Sequence, residues 1–556
     1  MKAAAALRRA LRIGLLIGTV VVYLAIVGLL LMIHGRWVIV DILTVGHTAL
    51  IAVGLAAGVV VARGETRRAS LHGLVRSLVA GAFAGFLPAI LVLTMQTIDL
   101  RPIFISLSPA LFEMLTFGLD LPLGLVSLVC GGAVLAALGA LMVYSPPIIT
   151  KSLIVGCAAV AFFGVFQELL QLMMQFHGVV GAVREMLYTW DGISLQGAVV
   201  IFLVASGSSA AWTRCRDRVV PVKSSLSVRQ HHQVIAARIA LGIVLALLFP
   251  IFAGSYIGQV MLLVGLYTLM GMGLNLEVGL AGLLDLGFVA FFAVGAYTTA
   301  LLTADSPHAL ATFTWLPRLN FWEAMPFAVI ASVCVGVLFG VPVLGLRGDY
   351  LAVATLGLGE IVRIIAQSDM AAPLLGGAQG ILQIPRPWIG SRELSDPVAL
   401  FYVTLIASAV AAYCAWRLEN SALGRAWMAV RDDEDVAQEL GINLVKVKLL
   451  AYGLGAAFAG LAGSIFATML TSIYPSSFQL LISINVLAII IVGGMGSLPG
   501  VVIGATALVG LPELLREFDE YRYLFYGVAL IAMMRLKPEG LWPSVTRRRE
   551  LRRAGP

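Results

Sequence analysis

The chain has 556 residues, 60% of them hydrophobic and only 12% charged, and its 37 Lys and Arg outweigh 30 Asp and Glu for a net charge of +7. A soluble domain carries about twice that charged fraction, so a water-soluble enzyme is excluded. Long apolar runs between short polar segments read instead as many membrane spans of about 20 residues each.

The first run, Ile13 to Ile33, follows Lys2, Arg8, Arg9 and Arg12. It is longer than the apolar region of a signal peptide and has no small-residue cleavage site, so it reads as a retained helix with its N-terminus inside. Five more spans follow before residue 213, near 38–62, 74–95, 121–144, 152–174 and 193–212. Ten follow it, near 235–253, 257–276, 282–302, 326–345, 350–366, 398–416, 449–470, 481–495, 498–515 and 523–536. The expected fold is therefore all-α, a polytopic transmembrane bundle of about 16 spans. The polar stretch 213–234, with Arg214, Arg216, Arg218, Pro221 and Lys223, is read as a basic cytoplasmic linker between an N-terminal membrane domain (1–212) and a second one (235–546), with a basic tail at 547–556. Alternating the spans from an inside N-terminus puts about 28 of the 37 Lys and Arg on the cytoplasmic face, as the positive-inside rule requires. The basic balance thus describes topology and contact with anionic lipid, and no aromatic-interleaved groove points to nucleic acid.

Of the five cysteines (Cys130, Cys157, Cys215, Cys334 and Cys414), four fall in apolar runs and no pair has metal-ligand or redox spacing, while the histidines are scattered, so no metal site is expected. In the first domain His47, Asp99, Arg101, Glu113, Glu168 and Arg184 are isolated polar positions, mostly near span ends.

Four segments of the second domain carry the functional signal. The first is GLNLEVGLAGLLDLGFVAFFAVGAY, beginning at Gly273. Its glycines allow close helix approach or broken helices, and Asn275, Glu277 and Asp285 are costly polar groups at membrane depth. These residues either sit in a cytosolic turn at headgroup level or line a translocation path. The second is LRGDYLAVATLGLGEIVR, from Leu346, in which Glu360 and Arg363 share a helix face at i, i+3 and neutralise each other; they are further path candidates.

The third, Gly424 to Ile442, is a cytoplasmic loop in which Asp432 can cap a short helix, acids at 433–435 suit its positive end and Gly441 can stop it. Val436 and Leu440 at i, i+4 make an apolar stripe suited to a partner's groove, or to a solvated connector. The fourth, IIVGGMGSLPG, from Ile490, forces a tight break between two spans. No GxxxxGK[ST] sequence occurs, so the chain by itself is not a P-loop ATPase. Gly279-Leu-Ala-Gly282 recurs as Gly460-Leu-Ala-Gly463 and hints at an internal repeat.

These four segments, in this order, resemble the LivM-type permease subunit of branched-chain amino-acid ABC importers, over residues about 235–553. The resemblance implies an inner-membrane permease without catalytic residues, paired with a LivH-type permease, driven by two cytosolic ATPase subunits and fed by an extracytoplasmic solute-binding protein. ATP and Mg would be used by those ATPases, with no cofactor bound by this chain. The third segment then looks like the coupling helix that docks on an ATPase, through Gly424, Arg425, Ala429, Arg431, Asp432, Asp433, Glu434, Val436, Ala437, Leu440 and Gly441. Gly441 corresponds to the glycine of the general importer loop motif. Urea or short amides are alternative cargo within the family, and an ion-coupled secondary transporter using Glu277, Asp285 or Glu360 is the rival outside it. The first 212 residues exceed the short leader the resemblance calls for and read as an accessory domain.

Overall fold

The structure, a computed structural model, describes residues 2–63, 71–174, 179–224, 228–307, 317–343, 345–346, 348–516, 521–537 and 539–543. The basic tail expected at 547–556 lies outside them. Two compact units divide the chain, Met1–Val244 and Leu245–Pro556.

Among the described residues, twelve helices are long and apolar enough to cross a membrane. The N-terminal unit contributes six, one for each expected span: α1 (Lys2–Val27), α2 (Val45–Arg63), α3 (Leu71–Thr97), α4 (Leu121–Tyr144), α5 (Pro147–Val165) and α6 (Leu195–Ser224). Their contacts are set by small residues, which let backbones approach where lipid removes the hydrophobic drive for association. Gly14 of α1 lies on the Ala80 carbonyl of α3, Gly85 on that of Leu128 in α4, and Gly58 of α2 on that of Ala136. Between α1 and α2 the chain makes a short antiparallel hairpin, β1 (Trp37–Ile39) with β2 (Leu43–Thr44). The basic stretch expected as a linker is helical on both sides of 225–227, because α6 continues to Ser224 and α7 (Val228–Leu274) starts at Val228.

The expected spans 235–253 and 257–276 fall on either side of a break in α7 at Gly254 (φ 84°), four residues after Pro250. A π-helical turn, Asn275–Leu280, follows directly. Then come α8 (Val289–Thr303), α9 (Phe321–Val343), α10 (Asp349–Gln367), α11 (Pro397–Glu419), the short α12 (Ala422–Asp432) and α13 (Glu434–Glu439), α14 (Leu444–Leu470), α15 (Leu480–Gly493), α16 (Leu498–Ala505) and α17 (Tyr521–Leu536).

Three of the ten spans expected here fall short of crossing length, whereas α15, itself 14 residues, reaches it together with the turn at Pro475–Ser477 before it. The segment read as 282–302 turns until Phe288, which leaves the 15-residue α8. The segment 498–515 is interrupted by a π-turn at Thr506–Gly510, and α17 has 16 residues. At the centre stands α14, whose span is 67% buried. Glycines again permit the contacts: Gly463 meets the Phe292 carbonyl of α8, and Gly295 of α8 meets Gly460.

The internal repeat is not borne out by local structure. Gly279–Gly282 closes a π-turn and needs a positive φ at Gly282 (75°), whereas Gly460–Gly463 lies inside the unbroken α14. The same four letters serve two different backbones.

Candidate functional site

The loop between α11 and α14 folds as two short helices set on the core. Ser421 caps α12 by accepting from the Gly424 amide at 3.2 Å. Gly424 itself packs where any side chain would strike the Leu418 and Glu419 carbonyls. Asp433, not Asp432, caps α13: its carboxylate accepts from the Asp435 and Val436 amides at 2.9 and 3.0 Å, while Asp432 is the last residue of α12. The reason is conformational, since Asp433 takes the extended geometry that a cap requires (φ −159°, ψ 113°). Gly441 stops α13 in the left-handed region (φ 85°), donating to the Gln438 carbonyl while Ile442 donates to that of Ala437, a Schellman ending.

Three tethers hold this loop. The buried Trp427 donates its indole N–H to the Val447 carbonyl at 2.8 Å. Glu434 pairs with Lys448 of α14 at 2.8 Å, the lysine being almost wholly buried. Arg431 donates to the Gly279 carbonyl of the π-turn at 2.9 Å and lies over Gly282, whose missing side chain makes the room. Ala437 is buried, Ala429 partly so, and Arg425 and Asp432 are exposed. Outward, Val436 and Leu440 are 55% and 74% exposed, a large apolar pair beside the exposed acids Asp433, Asp435 and Glu439.

Beneath the loop the first and fourth sequence segments meet. Asn275 is buried and its side-chain oxygen accepts from the Gly496 amide at 2.8 Å, so it ties the π-turn to the glycine break rather than lining an open path. That break is itself capped, by Ser497 accepting from Gly500 at 3.2 Å, with Gly494 and Gly496 at positive φ. Glu277 is fully buried against Gly455 of α14, and Asp285 is buried in the turn before α8, accepting from the Gly287 amide at 2.7 Å. Neither of these acids is in a solvated turn at headgroup level. Asp285, Thr355 of α10 and Tyr452 of α14 line one small cavity. Glu277 and Asp285 lie side chain to side chain within hydrogen-bonding reach, as Asp285 and Thr355 do, while the Tyr452 hydroxyl reaches no hydrogen-bond partner.

Sequence reasoning missed Tyr452, Thr355, Trp427 and Lys448. A tyrosine inside an apolar span and a lysine at a span start were the available signals. Glu360 and Arg363 form an ion pair at 2.7 Å on α10 with both side chains about one-third exposed.

The family pattern described as "Branched-chain amino acid transport system / permease component" matches residues 256–534, which carry all of this geometry. The chain belongs to this family. It is 39% identical over 324 residues to the high-affinity branched-chain amino acid transport system permease protein LivM of Salmonella typhimurium, covering 54% of this chain and 73% of that protein. The Escherichia coli LivM protein is 37% identical, with 58% and 78% covered. The autoinducer 2 import system permease protein LsrC of Escherichia coli is 26% identical, with 39% and 64% covered. No solved structure matches.

The permease match starts at residue 256, beyond the N-terminal unit. There, several polar positions read as isolated are paired. His47 stacks on Phe117 and meets the His34 ring edge-on, with centroids 4.8 Å apart; His34 in turn shares a 2.9 Å hydrogen bond with Thr44. Burial, then the neighbouring His47, hold the His34 imidazole below its usual range, with Glu113 opposing. Arg36 lies 3.9 Å from Glu168.

Proposed function

We propose that this permease subunit belongs to an ABC importer for branched-chain amino acids, that it is coupled through α12 and α13 to two cytosolic ATPase subunits, and that it works beside a LivH-type permease. The names of its LivM relatives support the cargo. The observation that carries the coupling assignment is the exposed Val436–Leu440 pair on a two-helix loop tethered at three points. Docked in an ATPase groove, such a helix moves as a lever: the Glu434–Lys448 pair passes displacement to α14, and Arg431 passes it to the π-turn beneath. ATP and Mg act in the ATPases, and this chain contributes motion rather than covalent chemistry. An extracytoplasmic binding protein delivers the cargo, and the N-terminus and the tethered loop face the cytoplasm.

Replacing Val436 and Leu440 together by Asp should lower ATPase co-purification by about tenfold or more while the permease remains monodisperse, because apolar anchors dominate such contacts. Undiminished co-purification and uptake in the double variant would sink the coupling assignment. Leucine uptake should require the ATPases; gradient-driven uptake by the purified chain alone points to the ion-coupled rival. The LsrC relative shows that permeases of similar sequence serve other imports, so competition by urea or short amides against leucine decides cargo directly.

A further inference from the structure

A cleft of about 690 Å³ opens in the N-terminal unit where α2, α4 and the start of α5 come together. Its origin is a packing conflict. Near their shared end α2 and α4 touch backbone to backbone, Gly58 against Ala136 and Gly139 against Leu55. At Ser145–Pro146 the chain then reverses within two residues into α5. α5 packs chiefly on α6, with Gly156 against the Phe202 ring, and only lightly on α2. A wedge is left between the diverging helix ends.

The wedge is amphipathic. Val59, Met142 and Ile154 line it along the helices, while Arg63, the last residue of α2, and Lys151, in the second turn of α5, stand at its mouth. Among the described residues that line it there is no carboxylate. These features lie at the ends of two membrane-crossing helices, at the level where lipid headgroups sit. In the topology expected from the positive-inside bias this is the cytoplasmic leaflet, which holds the anionic lipids.

We propose that this cleft binds one anionic phospholipid of the surrounding bilayer, with the phosphate between Arg63 and Lys151 and an acyl chain along Val59, Met142 and Ile154. A soluble anion would engage only the two cations and leave the apolar walls unused. An uncharged lipid would use the walls and leave the cations unused. Only an anionic lipid satisfies both halves, and it would fill the wedge that α5 leaves open.

The test uses the full chain, purified in detergent and titrated separately with phosphatidylglycerol and phosphatidylcholine of identical acyl chains. Retained lipid is counted by native mass spectrometry. Wild type should retain one phosphatidylglycerol with about tenfold preference over phosphatidylcholine, and Arg63→Gln with Lys151→Gln together should reduce that preference to about twofold or less. The charge-conserving pair Arg63→Lys and Lys151→Arg should keep most of it, which separates lost charge from lost folding. Millimolar inorganic phosphate should not displace the lipid. Equal preference in wild type and the Gln pair overturns the proposal. So does loss of preference in the charge-conserving pair, or displacement by inorganic phosphate, which would mark a site for a free anion.

Discussion

The two units differ in their most enclosed span, and the difference tracks where charge is kept. In the second unit α14 is 67% buried and surrounded by α8, α9 and the loop helices. In the N-terminal unit the most enclosed span, on α3, reaches 44%, and those on α5 and α6 only 11% and 17%. Among the described residues, every buried charged side chain (Glu277, Asp285 and Lys448) belongs to the second unit. Lipid cannot hydrogen-bond a carboxyl group, so such groups need protein on all sides, and only a helix at the centre of a bundle provides it. Among its described residues the N-terminal unit buries no charged side chain.

The strongest way to break this comparison is to disturb the central helix. Gly463→Val sets two methyl groups against the Phe292 carbonyl of α8, in backbone that cannot yield as a side chain would. Overpacking in a tight core costs about 1–3 kcal/mol, and the upper end is expected here. The thermal midpoint of the purified permease should fall steeply, or folded protein should be lost. Gly207→Ala on α6, where an added Cβ meets nothing within 4 Å, should leave the midpoint unchanged. If both changes behave alike, α14 is not the organising element.

A slightly smaller effect is expected from the tether. Lys448→Met leaves the Glu434 carboxylate without its lysine in a largely buried position. Removing one partner of a buried pair costs about 3–5 kcal/mol, and the partial exposure of Glu434 (21%) places this case at or below the lower end. Adding Glu434→Gln should recover most of the loss in a thermal-shift series. Failure to recover it would mean that the lysine acts through packing and not through charge.

These two sites also mark how far the sequence could be read. Helical class, the six N-terminal spans, the short helix α13 and its stop at Gly441 follow from local signals: apolar run length, a cap and a glycine. The cap was misplaced by one residue because Asp432 and Asp433 are chemically identical candidates, and only the extended backbone at the second distinguishes them. Gly279–Gly282 and Gly460–Gly463 share four letters but not a backbone, because four small residues tolerate many conformations and so specify none. The buried cluster was half legible. Glu277 and Asp285 stand out as acids in an apolar segment, but their neighbour Tyr452 comes from a helix more than 150 residues later, and no periodicity within either segment encodes that contact.

Tyr452 gives the finest test of the contrast between the units. Its hydroxyl is buried and without a hydrogen-bond partner, beside a cavity it shares with Asp285. A satisfied buried hydroxyl contributes about 1 kcal/mol, whereas an unsatisfied one contributes nothing or destabilises. Tyr452→Phe should therefore shift stability by less than about 0.5 kcal/mol, or raise it slightly, although the site is in the most enclosed of the full-length spans among the described residues. Tyr188→Phe in the N-terminal unit removes a hydroxyl that donates to the Phe163 carbonyl at 3.3 Å and should cost more despite the sparser surroundings. Depth of burial and hydrogen-bond satisfaction then pull in opposite directions. If Tyr452→Phe proves the costlier of the two, the Tyr452 hydroxyl is already satisfied in the folded protein, as the Asp285 oxygen that accepts from Gly287 is.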